Sequence, residues 1–169
     1  KYHVKGSVVS AVDLIKGIGI CAGLNSIDVE GATGTVHTNF EGKAQAAINA
    51  LKNGSDFVYV HLEAPDECGH QHDIENKVRS IELIDEKIIA PIMNAMKEAG
   101  EDFSIMVLPD HPTPLNLRTH TSDPVPFALY RSNAPQQSGV TAYNEKTAES
   151  TGVYVDQGYQ LMGMLISES

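Results

Sequence analysis

The sequence is poor in most of what would mark a stapled fold or a specialised surface. It contains no tryptophan, 6% aromatic residues and two cysteines, Cys21 and Cys68. Two widely separated cysteines cannot build a disulfide framework and match no paired-cysteine metal motif, so a reducing, cytoplasmic setting is expected. Twelve Lys plus Arg stand against 22 Asp plus Glu, a formal charge of −10, and only Arg79, Arg118 and Arg131 are arginines. Binding along a phosphate backbone needs clustered cations, which argues against nucleic acid as a partner. An anionic substrate would have to be met by metal ions or by a few placed cations. No apolar run approaches the roughly 20 residues of a membrane span, and the N-terminus lacks a signal-peptide pattern, so no membrane partner is expected. An initiating methionine is also missing. Lys1-Tyr2-His3-Val4-Lys5 leads directly into an apolar run, as though the fold were entered part-way.

What is present suffices for a core. In 169 residues of 41% hydrophobic content, folding can bury roughly 70% of the unfolded surface, enough for one domain without disulfides or metal. Short β-like runs alternate with helix-like stretches, the pattern of an α/β domain with a largely parallel sheet. Strands are predicted at Ser7–Val12, Ser26–Val29, Asp56–Leu62, Phe103–Leu108 and Pro126–Tyr130, with the third continuous enough to suggest burial on both faces. A helix from Asp13 to Leu24 carries Gly17, Gly19 and Gly23, which suggest close packing or a turn near its end. Thr38 and Glu41 resemble a capping box ahead of Ala44, Ala47, Ile48 and Leu51, and Asn53-Gly54 ends that helix. From Asp73, a natural N-cap, a long helix aligns Ile74, Val78, Ile81, Ile84, Ile88, Ile92 and Met96, with Pro91 expected to kink it. Glu75, Lys77, Glu82, Glu86 and Lys87 on its other face read as solvated charge, and Asp13, Lys16 and Lys43 as ordinary helix-surface groups. Ser132–Gly139 reads as a polar loop, and a last helix is predicted over Val155–Ile166.

The chemistry concentrates in three segments. Five of the seven histidines fall between His61 and His120, beside groups that follow predicted strand ends, where open α/β sheets bind ligands. The segments are His61–Asp73, with Asp66 and His70 inside it; Pro109-Asp110-His111-Pro-Thr-Pro114; and Arg118-Thr-His120 running on to Phe127. Carboxylate and imidazole suit zinc, manganese or iron-class ions, and stiff Pro and Gly backbone would hold such ligands without help from helix or sheet. An isolated Asp-Xaa3-His is common by chance; three such segments at strand ends together read as a metal site. His61 reads as a hydrogen-bonded core or supporting histidine, His72 and Asp73 as a helix start, and Cys68 as a small residue in a turn. Arg118 fits either a phosphate clamp or a partner for a surface acid.

Asp66-Glu-Cys-Gly-His70, Leu108-Pro-Asp110-His111-Pro-Thr-Pro and Thr119-His120-Thr-Ser-Asp-Pro-Val-Pro-Phe127 resemble the metal-binding motifs of the archaeal-type, cofactor-independent phosphoglycerate mutases, members of the alkaline phosphatase superfamily. Ser10–Gly19, Val29–Gly34 and His61–Asp66 extend the resemblance over nearly the whole chain. It implies an alkaline-phosphatase-like three-layer α/β sandwich with a mainly parallel central sheet, incomplete at its N-terminal side, with residues 1–169 forming the C-terminal part of the metalloenzyme domain. It implies two divalent ions (Mn, Zn or Co) and no 2,3-bisphosphoglycerate: Asp66, His70 and His120 on one ion, Asp110 and His111 on the other. The family's nucleophilic serine and a further aspartate ligand have no counterpart here and would belong to a preceding part of the protein. Phosphoglycerate is the implied substrate, Arg118 a candidate contact to it, and the chain alone is expected to be inactive. Another phosphotransferase, phosphatase or phosphonate hydrolase of the superfamily is the neighbouring alternative, and a non-catalytic domain with a structural metal the distant one.

Overall fold

The structure, a computed structural model, describes residues 2–166. These fall into two compact units, one of residues 3–99 and 113–119, the other of Tyr2, 100–112 and 120–166.

The first unit is built on a parallel sheet of order β2-β1-β3, with β1 at Gly6–Val9, β2 at Asn25–Ile27 and β3 at Phe57–Val60. Val8 lies opposite Ser26 on one side and Tyr59 on the other. The central strand β1 is buried throughout, whereas β3 is half-buried and Tyr59 is exposed. The reading of Asp56–Leu62 as a strand covered on both faces is therefore corrected: within this sheet β3 lies at an edge. Helix α1 (Asp13–Cys21) packs on β1 through Gly19, where a Cβ would stand 2.6 Å from Val8 Cγ1. Gly23, at φ +83°, supplies the turn that ends the α1 region, while Gly17 faces open space.

Helix α2 (Phe40–Lys52) starts one residue later than the capping-box reading proposed. Asn39 is its cap, accepting from the Gly42 N–H at 2.8 Å, while the Thr38 hydroxyl accepts from the Thr33 N–H and Glu41 pairs with Lys87. Phe40 and Ala44 meet Ile88 in the core, with Val60, Leu62, Leu83, Ile84 and Ile92 packed around them.

Helix α3 (Ala64–Gln71) lies within the His61–Asp73 segment, for which the sequence pattern predicted no helix. The long helix after it is three pieces: α4 (Ile74–Ile84), a π-helical turn at Asp85–Ile89 and α5 (Ala90–Ala99). Asp73 caps α4 as expected, accepting from the Asn76 N–H at 3.0 Å. The break lies just before Pro91, which has no N–H for the Lys87 carbonyl and whose ring crowds it. Ile88 and Met96 are buried and Ile84 packs on the core, while Ile74, Val78 and Ile81 are exposed. The single face expected to be buried from residue 74 to 96 thus meets the core only from Leu83 and Ile84 onward.

In the second unit β4 (Ser104–Val107) and β5 (Ala128–Arg131) pair antiparallel, with Ile105 opposite Tyr130. Helix α6 (Glu145–Ser150), absent from the sequence reading, is capped by Asn144, which accepts from the Thr147 N–H. The predicted last helix is shorter, a 3-10 turn at Gly158–Gln160 followed by α7 (Leu161–Ile166), and the Arg131 guanidinium donates to the Met164 carbonyl. Tyr143 Oη lies 3.2 Å from the Val107 carbonyl and 3.0 Å from the Pro126 carbonyl, so its hydroxyl ties the end of β4 to the approach to β5. Burial, with Glu145 adding to it, pushes the phenol up to about 12. Tyr143→Phe should cost about 1 kcal/mol at neutral pH, one shared hydrogen bond. Since the folded value exceeds the unfolded one of about 10, this contribution is complete below about pH 10 and declines as pH rises toward 12. Urea unfolding of both proteins at neutral and at alkaline pH should show the gap closing.

Among the described residues no helix is long and apolar enough to cross a membrane.

Candidate metal site

Helix α3 follows the C-terminal end of β3 by three residues. Pro65 in its first turn presets the backbone, and Asp66 and Glu67 suit the positive end of the helix dipole. No side chain caps its start. Instead, Lys77 of α4 donates its Nζ to the Pro65 carbonyl at 3.0 Å and to the Thr113 carbonyl at 2.9 Å. The reading of Lys77 as solvated charge is corrected accordingly. The helix ends at His72, in the left-handed region at φ 58°, with Nδ1 against the Leu115 carbonyl.

Asp66 and His70, four apart, share one face of α3, with His70 Nε2 3.5 Å from Asp66 Oδ2. Asp66 Oδ1 accepts the Thr113 hydroxyl. His70 Nδ1 lies 2.9 Å from the Arg118 carbonyl. A carbonyl can only accept, so Nδ1 carries the hydrogen and the neutral ring presents its lone pair at Nε2, the nitrogen that faces Asp66. A donor set of one carboxylate and one imidazole in this tautomer fits a divalent transition ion. Asp66 and His70 stand on a helix, which corrects, for these two candidates, the expectation that Pro and Gly backbone alone would hold them. Arg118 itself is at φ +54° with its side chain exposed, and its guanidinium makes no ion pair among the described residues; its main chain is what touches the site.

The second unit gathers the other three candidates. His111 Nε2 is 3.6 Å from Asp110 Oδ2, and Asp110 Oδ1 accepts the His111 N–H. The Thr121 N–H donates to the Pro112 carbonyl, closing the loop so that the His111 and His120 rings lie 3.7 Å apart, tilted by 32°. Beside His120 the Thr121 hydroxyl is buried without a hydrogen-bond partner among the described residues.

Close to α3 lies a polar node that the sequence reading missed. Lys43, 1% exposed, donates its Nζ to the His61 carbonyl at 3.2 Å, so it is no surface group. His61 Nδ1 is 3.4 Å from Ser10 Oγ, in keeping with a supporting histidine, and Ser10 is buried. Desolvation holds the Lys43 ammonium below its ordinary value, with Glu63 opposing the shift. Glu63 is pushed up by burial, then by Glu67 and Asp66. A Cβ on Gly34 would fall 2.2 Å from Glu63 Oε2, so a larger residue there would push the Glu63 carboxylate aside. Lys43 had a legible signal, since it stands three residues after Phe40 and four before Ala47 on the buried stripe of α2. Thr113 had none, being one hydroxyl between two prolines. Cys68 is buried within α3 rather than in a turn, and burial pushes its thiol up. Lys16 remains near the surface, paired with Asp28 at 2.7 Å.

The pattern of the metalloenzyme superfamily matches residues 1–158. The chain belongs to that superfamily. It is 50% identical over 165 residues to a 2,3-bisphosphoglycerate-independent phosphoglycerate mutase of Methanosarcina mazei, and 49% identical over 166 residues to a probable enzyme of the same name from Geobacter sulfurreducens. Each match covers 98% of this chain and 41% of the relative, so the chain spans well under half the length of those proteins. A solved structure, the PH0037 protein of Pyrococcus horikoshii, superposes with a TM-score of 0.88 at 29% identity, over 99% of this chain and 51% of that one. The mixed α/β architecture with its parallel three-stranded sheet agrees with an alkaline-phosphatase-like fold.

Proposed function

We propose that this chain is the C-terminal part of a cytoplasmic, metal-dependent phosphoglycerate mutase, which interconverts 3-phosphoglycerate and 2-phosphoglycerate without 2,3-bisphosphoglycerate. The observation that carries the reading is the Asp66–His70 pair on one face of α3, its imidazole fixed by the Arg118 carbonyl in the metal-binding tautomer. The names of the relatives support the reaction assigned. On this reading Asp66, His70 and His120, each able to offer one ligand atom, hold one divalent ion, and Asp110 and His111 contribute to a second. Manganese, zinc and cobalt all suit these donors. Bound ions would supply the positive charge that phosphoryl oxygens require in a protein of formal charge −10. The chain's own residues hold and orient. Arg118, exposed beside His70, is proposed as a contact for the anionic substrate. The serine that carries the phosphoryl group during transfer belongs, on this reading, to a preceding part of the protein, so the 169-residue chain alone should show no turnover.

The test is an assay of the longer protein carrying this sequence, supplied with manganese and 3-phosphoglycerate and no 2,3-bisphosphoglycerate. Formation of 2-phosphoglycerate that is lost on chelation and restored by metal is expected. Release of inorganic phosphate in its place would replace the mutase with a phosphatase of the same superfamily. Turnover by the isolated chain would overturn the placing of the nucleophile.

A further inference from the structure

We propose that Thr113 is a positioning residue for the metal ligand Asp66, and that Lys77 keeps it in place. The inference rests on the reading of Asp66 as a ligand and adds to it what fixes the carboxylate. Thr113 is 5% exposed, and its hydroxyl donates to Asp66 Oδ1. A carboxylate turns about a single soft torsion, so holding one oxygen sets the direction of the other. Here the other oxygen, Oδ2, is the one that faces His70 Nε2.

The hydroxyl is itself held from behind. The Lys77 ammonium bridges the carbonyls of Thr113 and Pro65, fastening the residue 113 loop to the first turn of α3. Beside this bridge the loop lies directly on the α3 backbone at Gly69. A Cβ there would come within 2.6 Å of the Thr113 carbonyl oxygen, 2.8 Å of its Cγ2 and 2.9 Å of Lys77 Nζ. The same loop supplies the Arg118 carbonyl to His70 Nδ1. Residues 113–118 therefore grip both candidate ligands of α3, the carboxylate through Thr113 and the imidazole through Arg118. Partners of this kind set the direction and basicity of metal ligands, and losing one typically costs about 10–100-fold in metal affinity.

The experiment is manganese binding by calorimetry to the longer protein as wild type, Thr113→Val, Thr113→Ser and Asp66→Ala. Valine keeps the shape of threonine and removes its hydroxyl, whereas serine keeps the hydroxyl. T113V should weaken binding by about 10–100-fold, with T113S close to wild type. If T113V does not fold, Thr113→Ala judged against T113S decides the matter. Wild-type affinity in the hydroxyl-free variant, or equal loss in T113S, overturns the inference. Asp66→Ala separates the two claims. Unchanged binding in that variant defeats the ligand reading itself, while lost binding there together with unaltered T113V defeats only the role of Thr113.

Discussion

Asp66→Ala and His70→Ala, each made in the longer protein, should weaken divalent-ion binding by more than the roughly 100-fold that marks loss of an outer partner, and should abolish turnover. Both substitutions remove an atom that would touch the metal, and each takes with it one hydrogen bond, to the Thr113 hydroxyl or to the Arg118 carbonyl. The side chains are 27% and 35% exposed, on a short helix. Alanine is the better helix former at both positions, which offsets the few tenths of a kcal/mol that Asp66 contributes at the helix N-terminus. Each variant also loses a hydrogen bond to the residue 113–118 loop, so thermal unfolding without metal should reflect a loss of about 1–2 kcal/mol, and the stabilisation that added metal gives the wild type should vanish. His120→Ala should behave alike, because its ring is exposed and its partner in stacking is His111. Unchanged metal content in both His70→Ala and His120→Ala would sink the assignment of this ion.

The candidate ligands were legible because their chemistry is written in short segments: carboxylate and imidazole beside Pro or Gly, just after apolar runs. Their scaffold was not. Helix α3 has a glycine at position 69, no side-chain cap and only eight residues, too short and too weakly signalled to stand out by pattern. It is held by Lys77 from α4 and by the residue 113 loop, contacts that arise between positions far apart in sequence. The stripe Ile74, Val78 and Ile81 teaches a related lesson. Periodicity tells which residues share a helix face, and these three do, but it cannot tell what covers the face: Ile84 of the same helix meets the core and these three do not. Lysines mislead most, since the same side chain reads as solvated charge whether its ammonium reaches water, as with Lys16 near the surface, or a buried carbonyl, as with Lys43.

Lys43→Ala should lower stability by about 3 kcal/mol, the largest loss expected of any substitution of a charged residue here. Truncation removes three methylenes from a site where the residue is 1% exposed, worth about 0.8 kcal/mol each. It also leaves the His61 carbonyl without its donor, a cost of about 1–3 kcal/mol. Against this stands relief from burying an ammonium, the effect that depresses the lysine in the first place. Lys43→Met keeps the stem and loses only the hydrogen bond and the charge, so it should cost well under half as much. The charge itself is read by pH. Because the folded-state value lies below the unfolded one, the unfolded chain binds more protons between the two, and stability should rise with pH through that alkaline window. Lys43→Met should lack this rise. Chemical denaturation of the wild type and both variants at neutral and alkaline pH separates packing from charge. Equal losses in Ala and Met would show that the stem contributes little, and an identical pH dependence in wild type and Met would show that Lys43 titrates as a surface lysine does.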